Sequence, residues 1–439
     1  MKKYILISLI FILTGCASLT EITRTTKPTD NVQDDSSIEL SGYKYDEAQQ
    51  FIEMCVELND QDDRLNYGNM PNSISNIDPT KWIQIYDSRS DVSDKVATYK
   101  NNPDSKNPWH KLYDIIIKNA DKKYPKGWNK NTLANDPSLN GFGPWQNAWI
   151  LYQGVGKYAG SYTIAIRGTV ISSVPSAIED VLTNPVSAQN FLSNKVQFVS
   201  LFSPDAAVHS GFAHATFTLM LDENFGILKI LHDKVPTNLN VYITGHSQGA
   251  AMVSLVHAFL HYAMINDKKG SPVFGFETTQ YKLKSYGFAQ PKPGNISFAA
   301  DFARITQKYD NAIVINNDID FVPKTPATLE QGEDWSQSLQ GSSLSSKIIK
   351  YITELNLNIR KKLSTVIESD TIKFASGYGL FYNYSELKPL IGPQAVSSFD
   401  FSPAGRVIIV SGTPGDPPDI FGQHHTSVYR KLIHDQLNW

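Results

Sequence analysis

The chain has 439 residues, of which 41% are hydrophobic and 19% charged, with 21 tyrosines, 21 phenylalanines and 7 tryptophans. That composition suits one large core or two smaller ones and excludes a disordered, low-complexity protein. A net charge of −3, with no basic stripe and no polyanionic tail, leaves no electrostatic case for nucleic acid as a partner.

The first residues, MKKYILISLIFILTGC, carry two lysines, then an apolar run from Tyr4 to Leu13 that ends in Leu13-Thr14-Gly15-Cys16. Such a run is too short to remain as a bilayer-spanning helix and has the layout of a secretory signal. Its end resembles a bacterial lipobox, which implies a signal peptide over 1–15, lipid attached to Cys16, and an anchored protein of the cell envelope. The outer membrane is the expected site in a Gram-negative cell. Only Cys55 would then remain as a free thiol, so no intramolecular disulfide can form. Residues 16–40, rich in Ser, Thr, Asp and Lys, read as a flexible tether.

A mixed extension follows over 41–140, with helical periodicity at Tyr45–Leu58 and Trp109–Tyr124 between loops rich in Pro, Asn and Asp. In the first helix Ala48, Phe51, Ile52, Cys55 and Leu58 share one face, so Cys55 reads as a buried structural thiol. From Trp145 onward, β-rich runs appear: AWILYQ, SYTIAIRGT, NVYITG, KLKSYGFAQP and NAIVINND. Helical patterns such as HATFTLMLDENFGILKILHDKV separate several of them. Alternation of strands and helices predicts a largely parallel sheet covered on both faces. Toward the C-terminus, SSKIIKYITELNLNIRKKLSTVI reads as helical, SSFDFSP and GRVIIV as a hairpin-like pair, and the segment near TSVYRKLIHDQL as a last helix.

TGHSQGA, at Thr244–Ala250, lies between a strand and a helix. A serine on such a turn, between small residues that permit close packing, is the arrangement of a nucleophile elbow. Ser247 is then the candidate nucleophile, and the Gln248 backbone N–H, at the start of a helix, a candidate oxyanion donor.

Together with its neighbours this elbow resembles the class 3 lipase family, which includes the fungal triacylglycerol lipases. IAIRGT at Ile164–Thr169, VHSGF at Val208–Phe212, YGFAQPKPGNISFA at Tyr286–Ala299 and INNDIDFVPKTP follow the family's motifs in the family's order, from about residue 145 to 430. The resemblance implies an α/β-hydrolase fold over 141–439: a mostly parallel central sheet flanked by helices, with the N-terminal extension before it and an insertion before the catalytic histidine. It implies a Ser-Asp-His triad, in that chain order. Ser247 attacks the ester carbonyl, and Asp320, three residues before Pro323, is the acid, with Asp318 as the alternative. His424 or His425 is the base, ahead of a helix bearing Tyr429. It gives Thr169 the second oxyanion donor. It also implies a lid over 170–208, against which stands a helix packed permanently on the core.

Two departures stand out. Gln248 replaces the usual apolar residue, and the long span from Asp320 to His424 makes 329–384 an insertion. His257 and His261, four apart on one helix, lack the carboxylate or cysteine partners of a metal site. Acyl transfer of this kind requires neither metal nor organic cofactor. The expected activity is therefore hydrolysis of acyl lipids at a membrane or lipid surface, as a glyceride lipase or a phospholipase A1-like enzyme. A non-lipid carboxylesterase and a catalytically silent envelope protein that binds lipid or a partner are the alternatives.

Overall fold

The computed structural model describes residues 40–67, 75–90, 141–142, 147–169, 185–188, 203–222, 224–268, 274–276, 278, 280–326, 401–414 and 422–438. The signal segment with Cys16, the tether up to residue 39, the helix expected at Trp109–Tyr124 and the insertion at 329–384 lie outside them. So does the expected lid, except for 185–188 and 203–208.

Seven strands form the main sheet: β1 (Trp82–Asp87), β2 (Trp149–Gly154), β3 (Ser161–Ile166), β6 (Asn240–His246), β7 (Lys282–Phe288), β9 (Ala312–Asn317) and β11 (Arg406–Val410). They lie side by side in that order. From β3 to β11 each pair is parallel, and β2 is antiparallel to both β1 and β3. A smaller sheet joins β4 (Pro185–Ser187), β5 (Ala207–His209), β8 (Gly294–Asn295) and β10 (Phe401–Ser402). Among the described residues the α-helices are α1 (Tyr45–Tyr67), α2 (Ser210–Leu221), α3 (Ile227–Lys234), α4 (Gln248–Lys268), α5 (Ile296–Thr306) and α6 (Thr426–Gln436).

The expected mostly parallel sheet with helices on both faces is borne out: this is the α/β-hydrolase fold. Its central strands read as near-continuous apolar runs because both of their faces are buried. Trp149, Leu151, Ile164, Val241 and Ile243 pack with residues of α2, α3, α4 and α5. Ile150, Tyr152, Tyr242, Tyr286, Ile313 and Ile315 point to the opposite face, toward α1 and α6. Helix α4 is apolar all round for the same reason, being sandwiched between β6 and β7 and the helices outside it.

Three local expectations change. The long helical pattern at residues 214–235 is two helices, because Asp222 turns its carboxylate back: Oδ1 accepts the Asn224 and Phe225 N–H groups, each at 2.9 Å, and α3 begins after Gly226. The pair before the last helix is not a hairpin. β10 pairs with β8, while β11 joins β9 in parallel. Finally, α1 and β1, both from the N-terminal extension, are built into the core, α1 as a covering helix and β1 as an edge strand.

Helix α1 is bound to the sheet by a buried charge cluster. Glu47 accepts from Lys284 Nζ at 2.6 Å, Tyr286 Oη at 2.9 Å and Tyr242 Oη at 3.2 Å. The Glu47 and Lys284 side chains are 1% and 0% exposed, and burial opposes the charge on Lys284 while Glu47 supports it. Removing one partner of such a pair strands the other charge. Lys284→Met is therefore expected to lower unfolding free energy in urea by about 3 kcal/mol, the lower end for such pairs, since the phenols remain to solvate Glu47.

Candidate active site

Ser247 sits where β6 ends and α4 begins, with φ of +60°. A non-glycine residue in that region is strained, and holding it there requires a tightly determined turn. The turn supplies this. Ser247 N–H donates to the Phe288 carbonyl at 2.9 Å, and the Ser247 carbonyl accepts from Ala250 N–H at 2.8 Å. Close approach does the rest. A Cβ on Gly249 would lie 2.5 Å from the Ile166 carbonyl oxygen, and one on Gly168 would lie 2.6 Å from the His246 carbonyl oxygen. The turn carrying Thr169 is thus laid directly against the elbow. Gln248 is the first residue of α4, where N–H groups lack acceptors within the helix and point along its axis.

His424 closes a short 3₁₀ turn, Gly422–His424, before α6. Its Nε2 lies 2.8 Å from Ser247 Oγ and its Nδ1 lies 2.8 Å from Asp320 Oδ2. Asp320 is buried, and both of its oxygens are used. Oδ1 accepts the Val322 N–H at 3.0 Å; Oδ2 also accepts the Tyr429 hydroxyl at 2.8 Å. Burial and the neighbouring Asp320 carboxylate push the Tyr429 phenol well above its ordinary pKa. It therefore stays protonated and remains a donor to Asp320. Tyr429 Oη in turn accepts the Asn317 N–H at 2.9 Å.

The chain brings Ser247, His424 and Asp320 into one hydrogen-bonded row across 177 and 104 residues of sequence. His425 is not part of it: it caps the N-terminus of α6, where its carbonyl accepts the Val428 and Tyr429 N–H groups at 3.0 and 3.2 Å. Asp318 is likewise elsewhere. It is exposed, and its Oδ1 accepts the Gly412 N–H at 2.9 Å, as a loop cap.

Among the other histidines, His209 caps α2 by accepting the Phe212 N–H. His257 is buried against Ser285 Oγ at 2.9 Å, and burial holds it down to about 3. Cys55 is buried 3.8 Å from Thr244 Oγ1, and burial pushes its thiol up to about 12, which makes it inert at neutral pH. Among the described residues no group of three or more His, Cys, Asp or Glu side chains is arranged to hold a metal ion.

Sequence reasoning passed over two residues here. Asn317 joins the turns that carry Asp320 and His424: its Nδ2 donates to the Gln423 carbonyl at 3.1 Å and to Gln423 Oε1 at 2.9 Å, while its Oδ1 accepts from Ile319 N–H. Asn59 of α1 reaches the elbow from below. Its only signal in the sequence is a polar residue one helical turn beyond Cys55 on the buried stripe.

Residues 163–330 match the model of the family described as lipase (class 3). The resemblance read from the motifs is borne out over that stretch, which holds Thr169, Ser247, Gln248 and Asp320 and stops short of His424. No curated protein sequence matches the chain. Among solved structures, that of M37 lipase is 20% identical and aligns with 53% of this chain and 71% of its own, with a TM-score of 0.37. Lip2 lipase of Yarrowia lipolytica is 13% identical over 69% of this chain and 78% of its own, with a TM-score of 0.36. The triacylglyceride lipase of Rhizomucor miehei is 16% identical over 57% and 78%, with a TM-score of 0.29.

Proposed function

We propose that this chain is a serine ester hydrolase acting on acyl lipids, as a glyceride lipase or a phospholipase A1-like enzyme. Lipase-type ester hydrolysis is the chemistry that the class 3 match supports. The observation that carries the reading is the row Ser247 Oγ, His424 Nε2, His424 Nδ1, Asp320 Oδ2, with 2.8 Å at each contact.

A serine hydroxyl is a poor nucleophile at neutral pH and needs a base within hydrogen-bond reach. In this reading Ser247 Oγ attacks the ester carbonyl while its proton passes to His424 Nε2. Asp320 holds the imidazole with its proton on Nδ1 and stabilises the imidazolium. The carbonyl oxygen becomes an oxyanion facing the Thr169 and Gln248 N–H groups. As the tetrahedral species collapses, the proton on Nε2 goes to the departing alcohol and an acyl-enzyme forms. Water, deprotonated by the same imidazole, then releases the fatty acid and restores Ser247.

An acyl anchor on Cys16 would hold the enzyme on the membrane that contains its substrate and raise its encounter rate by local concentration. Of the expected lid at 170–208, Ala188, Ala206, Ala207 and Val208 are packed in the core; the apolar side chains of its remaining residues would serve such an enzyme by docking on lipid when exposed.

The test has two arms. Purified mature protein incubated with mixed membrane lipids should release fatty acids identifiable by mass, with the lyso-product giving the position cleaved. A fluorophosphonate should label the protein, and Ser247→Ala should abolish the labelling. Labelling without release from any lipid would move the reading to a non-lipid carboxylesterase. No labelling, even with detergent present, would leave a silent lipid- or partner-binding protein.

A further inference from the structure

The first helix runs beneath the strand that carries the nucleophile. Phe51 packs against the Tyr242 ring with centroids 5.1 Å apart. Cys55 Sγ stands 3.8 Å from Thr244 Oγ1. Asn59 Nδ2 lies 3.5 Å from His246 Nδ1. The helix residues are spaced by four and their partners by two, on one face of β6. Four helical residues rise about 6 Å and two strand residues about 6.6 Å, so the stripe and the strand stay matched as far as the elbow. At the lower end Glu47 fixes the register through Lys284, Tyr286 and Tyr242. Glu53 joins Arg430 of α6 at 3.2 Å, so α1 can neither slide nor turn independently.

At the upper end Asn59 uses both arms of its amide. Nδ2 faces His246, and Oδ1 accepts the Gly168 N–H at 3.4 Å. Burial holds His246 well below its ordinary pKa, so the ring is neutral and offers one nitrogen as an acceptor. That ring packs on His424 with centroids 4.7 Å apart. Asn59 is 7% exposed. It thus touches the residue before the nucleophile and the peptide before the Thr169 donor.

We propose that Asn59 is a positioning residue for ester hydrolysis, fixing the Gly168 peptide against the elbow so that the next N–H meets the oxyanion formed at Ser247. This rests on the ester-hydrolase reading above. Oxyanion donors contribute only when held at the place where charge develops, and a small rotation of the Gly168 peptide would carry the Thr169 N–H off that place. Binding of uncharged substrate does not depend on that donor, so the loss falls on turnover.

The experiment compares full-length wild type with Asn59→Ala, Asn59→Leu and Asn59→Asp. It measures kcat and KM on a soluble ester, per active site titrated with a fluorophosphonate, together with the rate of labelling. Leucine fills the volume without polar atoms and carries the test if the alanine cavity prevents folding. Aspartate keeps an oxygen facing the Gly168 N–H, and its second oxygen faces His246 Nδ1, which the neutral ring can meet by carrying its proton on that nitrogen. Alanine and leucine are expected to lower kcat and labelling rate about 10- to 100-fold with KM within about threefold, and aspartate to recover to within about fivefold of wild type. Unchanged kcat and labelling per titrated site in the alanine and leucine variants, with normal labelling of wild type, would overturn the role of Asn59 alone. A wild-type protein that shows no Ser247-dependent labelling would overturn the ester-hydrolase reading and this role with it.

Discussion

Replacing His424 with alanine is expected to reduce kcat on an acyl ester by about 10⁴-fold or more, while His425→Ala stays within about tenfold of wild type. The two side chains are adjacent, yet they belong to different structures. His424 ends a 3₁₀ turn with one ring nitrogen on Ser247 Oγ and the other on Asp320. Without it, the hydroxyl keeps its proton during attack and the leaving alcohol has no donor. His425 has the extended backbone of an N-cap, φ −63° and ψ 143°, and no side-chain capping bond. Alanine can adopt that backbone, and the carbonyl that opens α6 is unchanged. Steady-state kinetics of both variants, scaled to titrated active sites, provide the check. Equal losses in the two variants would contradict the assignment of His424 as base.

Asp320→Asn should be nearly as severe, lowering kcat by about 10⁴-fold, whereas Asp318→Asn should remain within about threefold. Asp320 is surrounded by donors: His424 Nδ1 and the Tyr429 hydroxyl at Oδ2, and the Val322 N–H at Oδ1. An asparagine amide carries one acceptor and one donating group, so in either orientation its NH₂ faces a group that must donate. The imidazole can relieve the conflict by moving its proton from Nδ1 to Nε2. That leaves a donor facing Ser247 and removes the base. At Asp318 the same change is mild, because an asparagine oxygen can still accept the Gly412 N–H. Comparable kcat values for Asp320→Asn and wild type would show that some other group orients the imidazole.

Much of this arrangement is local and therefore readable in the chain. A nucleophile elbow is made by consecutive residues: the strand to His246, the strained Ser247, and small residues at Gly249 and Ala250. Both Asp318 and Asp320 follow the same buried strand, so only the resemblance to the family's spacing before a proline favoured Asp320; in the structure Asp318 is exposed and Asp320 is buried. The sheet was legible because strands buried on both faces are largely apolar; Lys284 of β7 is a charged exception, held by Glu47. Strand β1 was missed for the converse reason. As an edge strand it alternates buried and exposed residues weakly, and WIQIYD carries little pattern.

Amino-acid sequence alone determined the class of fold and the elbow at Ser247, because each is set by side-chain periodicity or by neighbours along the chain, and it left Asp318 open beside Asp320. Only tertiary structure decided between His424 and His425, brought Tyr429 onto Asp320, placed β11 beside β9, and put α1 with Asn59 beneath the elbow. Those outcomes depend on contacts between segments tens to hundreds of residues apart. Parallel strand pairing and the aim of a single imidazole leave no local periodicity, since they are fixed by which surfaces bury one another when the sheet closes.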